Sequence, residues 1–303
     1  MEARTEPVVA LVGAGAVATS LAHALRMQGV SIAAVLSRSS ASAEALAHAV
    51  GAAAWGSLGR VPLPPVTDVF IAVPDSALSA VVASLAEGSW EGVWVAHLSG
   101  ALSHQELDPL RRRGARICSF HPMQSFIRGR LSTFAGICIG VEGEPEAVAR
   151  ATWWAEQIGA RPILVPGSAK GAYHLAGTMA SNYLVALLGI SSEILASLGL
   201  SSAQALELLR PLVRGVLENA EALRCPEQAL SGPIRRGDAV TLRRHGRVLA
   251  ERFPHLIPVY VALGVETLRL AVRQGWLNPE RAQAVLAELE AMLRLDPSVE
   301  APL

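Results

Sequence analysis

The chain has 303 residues, enough for two domains, because single cores rarely grow beyond about 250–300 residues. Its 26 basic and 26 acidic side chains cancel to a formal net charge of 0, which argues against nucleic acid as a partner. Hydrophobic residues make up 51% and charged ones 17%, so a large core is available and the composition argues against a disordered chain.

Residues 8–12 form a short β-branched run that ends in Gly13-Ala14-Gly15-Ala16-Val17-Ala18. An alanine-rich helical stretch follows over 19–28 and stops at Gly29, and residues 31–36 read as a second strand. Strand, glycine turn, helix and strand within about thirty residues open a βαβ unit. The alternation continues with a helix over 43–50, a short strand over 52–55, a strand over 68–73 and a helix over 78–86. Strands over 93–98, 116–120 and 136–141, a helix over 145–158 and a last strand over 162–165 complete the first half. This pattern predicts a mostly parallel, doubly wound α/β sheet covered on both faces.

After Pro166-Gly167 the β-type runs stop, and helices are predicted over about 168–199, 202–223, 238–250, 254–273 and 279–294. The expected division is therefore a Rossmann domain over 1–167 and an all-α substrate and dimerisation domain over 168–303. The mean hydropathy of +0.36 raises the question of a membrane. The clean apolar runs, such as 184–190, are short, and no segment is expected to reach the ~20 apolar residues of a spanning helix. The polar start, 1–7, carries two glutamates and lacks the pattern of a leader. A cytoplasmic protein without a membrane partner is expected. Cys118, Cys138 and Cys225 form no metal-binding spacing, so they read as reduced structural thiols and no metal site is expected.

The glycine turn carries the first functional signal. In GxGxxA, Gly13 permits the tight turn, Gly15 lets backbone approach a pyrophosphate, and Ala18 lets the helix pack close to the strand. The N–H groups at the helix start, around Ala16 and Val17, then face the phosphates. Proteins that bind NAD usually place an acid after the second strand to bond the ribose hydroxyls. Here the residues are Ser37-Arg38-Ser39. Arg38 suits a 2′-phosphate, so NADP(H) is favoured and NAD(H) stands second.

Ligands of open α/β sheets bind beyond the carboxyl ends of the strands. Polar clusters stand at three such ends: Val73-Pro74-Asp75-Ser76, His97-Leu98-Ser99-Gly100, and His121-Pro122-Met123-Gln124-Ser125. Val73, Pro74 and Ser99 are candidate cofactor contacts, and His121 and Gln124 candidate substrate contacts. In the helical half, of 26 basic residues 25 are arginine and one, Lys170, is lysine. At about 100° per residue, Lys170, His174 and Ser181 share a helix face, with Thr178 nearby and Asn182 at its edge. A polar stripe on an apolar helix is costly unless it is paired or faces a cleft. Lys170, His174 and Asn182 are thus candidate catalytic residues, and Ser181 a substrate contact. The Ser231-Gly232-Pro233-Ile234-Arg235-Arg236-Gly237-Asp238 segment reads as a compact loop with Asp238 as helix N-cap. Arg236 is its candidate for holding a substrate carboxylate.

Gly13-x-Gly15, His121-Pro122-Met123-Gln124-Ser125-Phe126 and the segment from Ser231 to Asp238 together resemble a bacterial family of Rossmann-like oxidoreductases whose C-terminal domain has no known function. The helix with Tyr173-His174 and Ser181-Asn182-Tyr183 also looks like that family. The family is similar to the superfamily of 6-phosphogluconate dehydrogenase, pyrroline-5-carboxylate reductase, ketopantoate reductase and prephenate dehydrogenase. The resemblance implies a Rossmann domain followed by a 6-phosphogluconate dehydrogenase-like helical domain that commonly builds a homodimer. It departs from lysine-using members of that superfamily, which place an asparagine soon after the lysine on one helix; here His174 occupies the next turn.

The expected activity is hydride exchange between NADP(H) and a small carbonyl or hydroxy carboxylate, ketopantoate-like in size and charge. Lys170 is the first choice of proton donor and His174 the second. A prephenate-dehydrogenase-like reaction, suggested by His121-Pro122-Met123, and a non-catalytic nucleotide-binding sensor or scaffold are the alternatives.

Overall fold

A computed structural model describes residues 6–295 of the chain; the first five residues of the polar start lie outside it. The strands are β1 (Val8–Val12), β2 (Ser31–Ser37), β3 (Ala54–Ser57), β4 (Asp68–Ile71), β5 (Trp94–His97), β6 (Arg116–Pro122), β7 (Cys138–Gly143) and β8 (Arg161–Leu164). The first helices are α1 (Ala16–Met27), α2 (Ser40–Val50), α3 (Asp75–Leu85), the short α4 (Asp108–Arg111) and α5 (Pro145–Gln157). Then come α6 (Lys170–Ala196), α7 (Ser202–Leu223), the short α8 (Pro233–Arg236), α9 (Ala239–Arg252), α10 (Ile257–Arg273) and α11 (Pro279–Leu293). The chain divides into two compact units, Met1–Asn182 and Tyr183–Leu303.

In the first unit the strands form one sheet in the order β3-β2-β1-β4-β5-β6-β7-β8. All neighbours are parallel except β6 and β7, which run antiparallel. That reversal was not anticipated. No long helix separates β6 from β7, whereas a parallel return usually needs one as its crossover. Side-chain alternation sends Val9 and Leu11 to one face, against α1, α2 and α5, and Ala10 and Val12 to the other, against α3. Both faces are apolar, as a covered parallel sheet requires. The strand order reverses between β1 and β4, which places a crevice beyond their carboxyl ends.

In the second unit α9, α10 and α11 pack around Leu242, Leu249, Ile257, Val261, Leu268, Val285 and Leu289. Gly264 lets α10 approach α11, since a Cβ there would come within 2.7 Å of Leu289. The loop from Ser231 onward is set by Gly232 (φ 96°) and Gly237 (φ 68°). Asp238 caps α9 by accepting from the Thr241 N–H at 3.0 Å and the Thr241 hydroxyl at 2.7 Å.

One expectation about membranes is corrected. Gly167–Ala196 and Pro254–Arg273 both have the length and a mean hydropathy of 1.4 that a bilayer-crossing helix needs. Glycine, serine and threonine interrupt clean apolar runs without adding charge, so a count of consecutive apolar residues underestimates them. α10 contributes buried residues to the core of the second unit. α6 buries only Lys170 fully.

Candidate functional site

The glycine turn follows β1 directly. Gly13 has φ 119°, and a Cβ on it would come within 2.1 Å of the Ala72 carbonyl oxygen, so no other residue fits. Its N–H is fixed by the Leu36 carbonyl at 2.7 Å. Gly15 is the N-cap of α1, and a Cβ there would meet nothing within 4 Å. The helix N-terminus therefore faces open space that can take an anion. A cavity of about 720 Å³ lies here, between Gly13–Gly15, Ser37–Ser39, Val73-Pro74 and Arg128. No carboxylate lines it among the described residues. Ser39 is the N-cap of α2, its hydroxyl accepting from the Ser42 N–H at 3.3 Å.

Beyond β5 and β6 lies a sealed polar layer. His97 is fully buried; its Nδ1 accepts from the Ser99 N–H at 3.2 Å, so Nε2 carries the proton and donates to the Ser103 carbonyl at 3.0 Å. Burial, reinforced by the nearby Lys170 charge, lowers its pKa to about 4, and the ring is neutral at pH 7. The Ser99 hydroxyl accepts from the N–H groups of Ala101 and Leu102 at 3.2 and 3.0 Å. Lys170 is 1% exposed. Its Nζ donates to the Ser99 carbonyl at 2.9 Å and to the Ser119 hydroxyl. Burial pulls its pKa down to about 8, against the opposing pull of Glu142 and Asp75. Glu142 in turn accepts from the His104 N–H at 2.7 Å and pairs with the His104 ring.

Above this layer opens a cleft of about 520 Å³ lined by His121, Gln124, His174, Thr178, Ser181 and Asn182, with Met123 and Gly177 in its wall. The His121 and His174 rings stand 6.1 Å apart, edge to face. Gly100 lies beneath both: a Cβ there would come within 2.7 Å of His121 Nε2 and of His174 Cδ2. His121 Nδ1 is 3.2 Å from the Tyr173 hydroxyl. Tyr173 packs over Gly140, where a Cβ would clash at 2.7 Å. Burial lowers the His121 pKa to about 4, and burial raises that of Tyr173 to about 12. Both are neutral at pH 7 and serve as hydrogen-bonding groups. His174 is exposed to the cleft.

The structure thus brings Gly13, Gly15, Ser37, Arg38, Ser39, Val73 and Pro74 to one cavity. His121, Gln124, His174, Ser181 and Asn182 are gathered at the cleft. Ala16 borders a smaller cavity on the far side of the glycine turn. Val17 packs against the core instead of facing the opening. Ser99 and Lys170 lie one layer beneath the cleft, their polar atoms already engaged by protein. Arg236 is exposed in the second unit. Sequence reasoning missed Arg128, Tyr173 as the partner of His121, and His97 as a buried strut. His97 and Tyr173 stood inside motifs already singled out; Arg128 sits on an irregular loop and gave no periodic signal.

The description of a Rossmann-like domain matches residues 2–122. A domain of unknown function, DUF2520, matches residues 137–267. No curated protein matches the chain. Among solved structures, a Bacteroides fragilis protein provisionally designated an NADP oxidoreductase is 25% identical, with a TM-score of 0.75, over 86% of this chain and 98% of its own. A Thermotoga maritima protein is 29% identical, with a TM-score of 0.67, over 88% of this chain and 99% of its own. A reductive aminase from Aspergillus terreus, solved with NADPH, shares the fold at 17% identity and a TM-score of 0.58, over 96% of this chain and 94% of its own. The first part of the chain is thus similar to Rossmann-like domains and the second to DUF2520 domains, and a pyrroline-5-carboxylate reductase from Coxiella burnetii shares the fold at 16% identity and a TM-score of 0.55, over 96% of this chain and 99% of its own.

Proposed function

We propose that this protein is an NADP(H)-dependent oxidoreductase acting on a small carbonyl or hydroxy carboxylate. The observation that carries the reading is the continuity of chemistry along the strand ends. A glycine turn that only glycine can make opens on a cavity that holds Arg38 and, among the described residues, no carboxylate, and a histidine-lined cleft belongs to the same unit. The residues fit a dinucleotide: the cradle at Gly13 and Gly15 admits no extra Cβ at the first position and leaves space at the second. The helix N-terminus suits a pyrophosphate, and Arg38 with Ser39 suits a 2′-phosphate. The Bacteroides fragilis neighbour's designation agrees with this.

When bound, the nicotinamide supplies or accepts the hydride. The protein's part is to orient the substrate and move one proton. His174, exposed to the cleft, donates that proton to the developing alkoxide in the reducing direction and takes it back in the other. His121, neutral and held by Tyr173, hydrogen-bonds the same oxygen. Gln124, Ser181 and Asn182 orient the rest of the substrate. Lys170 acts as a positioning residue, tying the start of α6 to Ser99 and Ser119 and so setting where His174 stands.

Titration of the purified chain with NADPH and NADH, followed by nucleotide fluorescence, tests this. Tight NADPH binding with weaker NADH binding is expected, followed by oxidation of NADPH in a screen of 2-oxo acids that begins with ketopantoate. If neither nucleotide binds below millimolar concentration, the oxidoreductase reading fails.

A homodimer completes the reading. α6 and α7 leave the large apolar side chains Met179, Tyr183, Val185, Leu206, Leu212 and Val216 exposed, and a second copy would remove such surface from water. Sedimentation equilibrium is expected to give twice the 31.8 kDa chain mass, and a monomer at micromolar concentration would remove the dimer.

A further inference from the structure

The connection between β6 and β7 carries a cation to the glycine turn from far along the chain. Arg128 borders the 720 Å³ cavity beside Gly13–Gly15 and also the adjoining cavity of about 400 Å³ beside Gly15, Ala16, Thr19 and Ser42. It therefore stands in the wall that the two share, at the start of α1. Neither cavity has a carboxylate in its lining among the described residues.

The placement of Arg128 is built by the chain and does not depend on a loose loop. The Arg130 N–H donates to the Ile127 carbonyl at 3.2 Å, and Gly129 has φ 82°, which makes a turn with Arg128 at its first corner and glycine where a left-handed residue is needed. The base of the turn is fastened on both sides. The Ser132 N–H donates to the hydroxyl of Ser20, a residue of α1 that is 2% exposed, at 3.1 Å. The Phe126 and buried Phe134 rings pack at a tilt with centroids 5.4 Å apart, and the Ser132 hydroxyl donates to the Ser125 carbonyl at 3.3 Å. Helix α1 and the turn bearing Arg128 are thereby fixed to each other.

We infer that Arg128 is a phosphate clamp: it binds the dinucleotide's pyrophosphate from the side opposite the α1 N-terminus, and serves NADPH and NADH alike. Arg38, at the end of β2, reads the 2′-phosphate; Arg128, beside Gly15 and Ala16, meets the phosphates that both nucleotides share. The inference rests on the nucleotide reading above. A guanidinium offers a paired fork to a phosphate, which a lysine would not reproduce.

Calorimetric titration of the full chain with NADPH and with NADH separates the two ideas. Arg128→Gln is expected to weaken both nucleotides by the same factor, about tenfold to a hundredfold, the span of one charged hydrogen-bond pair, and to leave their ratio unchanged. Arg38→Gln is expected to weaken NADPH alone. Arg130→Gln, which alters the same turn but lines only the smaller cavity, is expected to change neither. A loss confined to NADPH in Arg128→Gln, unchanged constants, or an equal loss in Arg130→Gln overturns the clamp. Failure of the unaltered protein to bind either nucleotide overturns the nucleotide reading, and the clamp falls with it.

Discussion

The two ends of the parallel strands β4–β6 treat polar side chains in opposite ways. At the amino end of β4, Asp68 is fully buried, and its carboxylate is used up by protein. It accepts from Arg150 through both oxygens at 2.8 Å each, from Trp154 Nε1 at 2.8 Å and from the Thr67 hydroxyl at 2.6 Å. The Arg150 Cζ stands over the Trp153 ring, 4.3 Å from its centroid. At the carboxyl end the polar groups come in two tiers. His97, Ser99, Ser119 and Lys170 satisfy one another below, and His121, Gln124, His174 and Asn182 face the cleft above. Both ends contain charge and hydrogen bonds, so burial of polar groups alone does not mark a site. A site is marked where a satisfied tier holds in place groups whose valences point into open space.

That contrast can be broken by experiment. The largest effect is expected at the upper tier: His174→Gln should lower kcat by about 10²–10⁴-fold while leaving the melting temperature unchanged, because the side chain is exposed. Turnover within a few-fold of wild type would move the proton donor elsewhere. At the closed end, Asp68→Ala should cost about 3 kcal/mol of stability, since it leaves the half-buried Arg150, the Trp154 N–H and the Thr67 hydroxyl without their buried acceptor. Urea unfolding measures this, and a loss under about 1 kcal/mol, the worth of an exposed ion pair, would show that the cluster is not a structural tie. The smallest effect is expected in the lower tier. His97 has a folded pKa of about 4, below its unfolded value of 6.5. Between those values the unfolded chain binds more protons, so stability rises with pH across that window and falls on acidification from about 6.5 to about 4. The slope from this residue is at most about 1.4 kcal/mol per pH unit. His97→Gln should flatten the pH dependence of the urea midpoint by that share; an identical slope in the variant would mean that His97 is not held neutral.

Much of this architecture was legible from residue order. The run Val8–Val12 with Gly13 and Gly15 fixed both the strand and the turn, because only glycine tolerates the approach of Ala72. The stretch 202–223 matches α7 residue for residue, since Gly199 and the Ser201 cap precede it and Pro226 follows it. The direction of β7 was not legible: the linker from Met123 to Ile137 carries no helical period, and strand direction depends on which edge is free. The wheel that aligned Lys170 with His174 gave their shared face but not their depth. Lys170 sits in the first turn, against the ends of β5 and β6, and the sheet covers it; one turn later His174 has cleared that edge. Arg128 acquires meaning only through the bond from Ser132 to Ser20, two residues 112 apart along the chain.

Lys170 has one more consequence. It is the only lysine among 26 basic residues, and it is 1% exposed. The folded surface therefore presents arginine and histidine but no ε-amine. Reagents and modifying enzymes that target lysine find a side-chain nucleophile only when α6 lifts away from the strand ends. The rate of amine labelling at this one position is a clock for that opening, recorded by the protein itself without an attached probe.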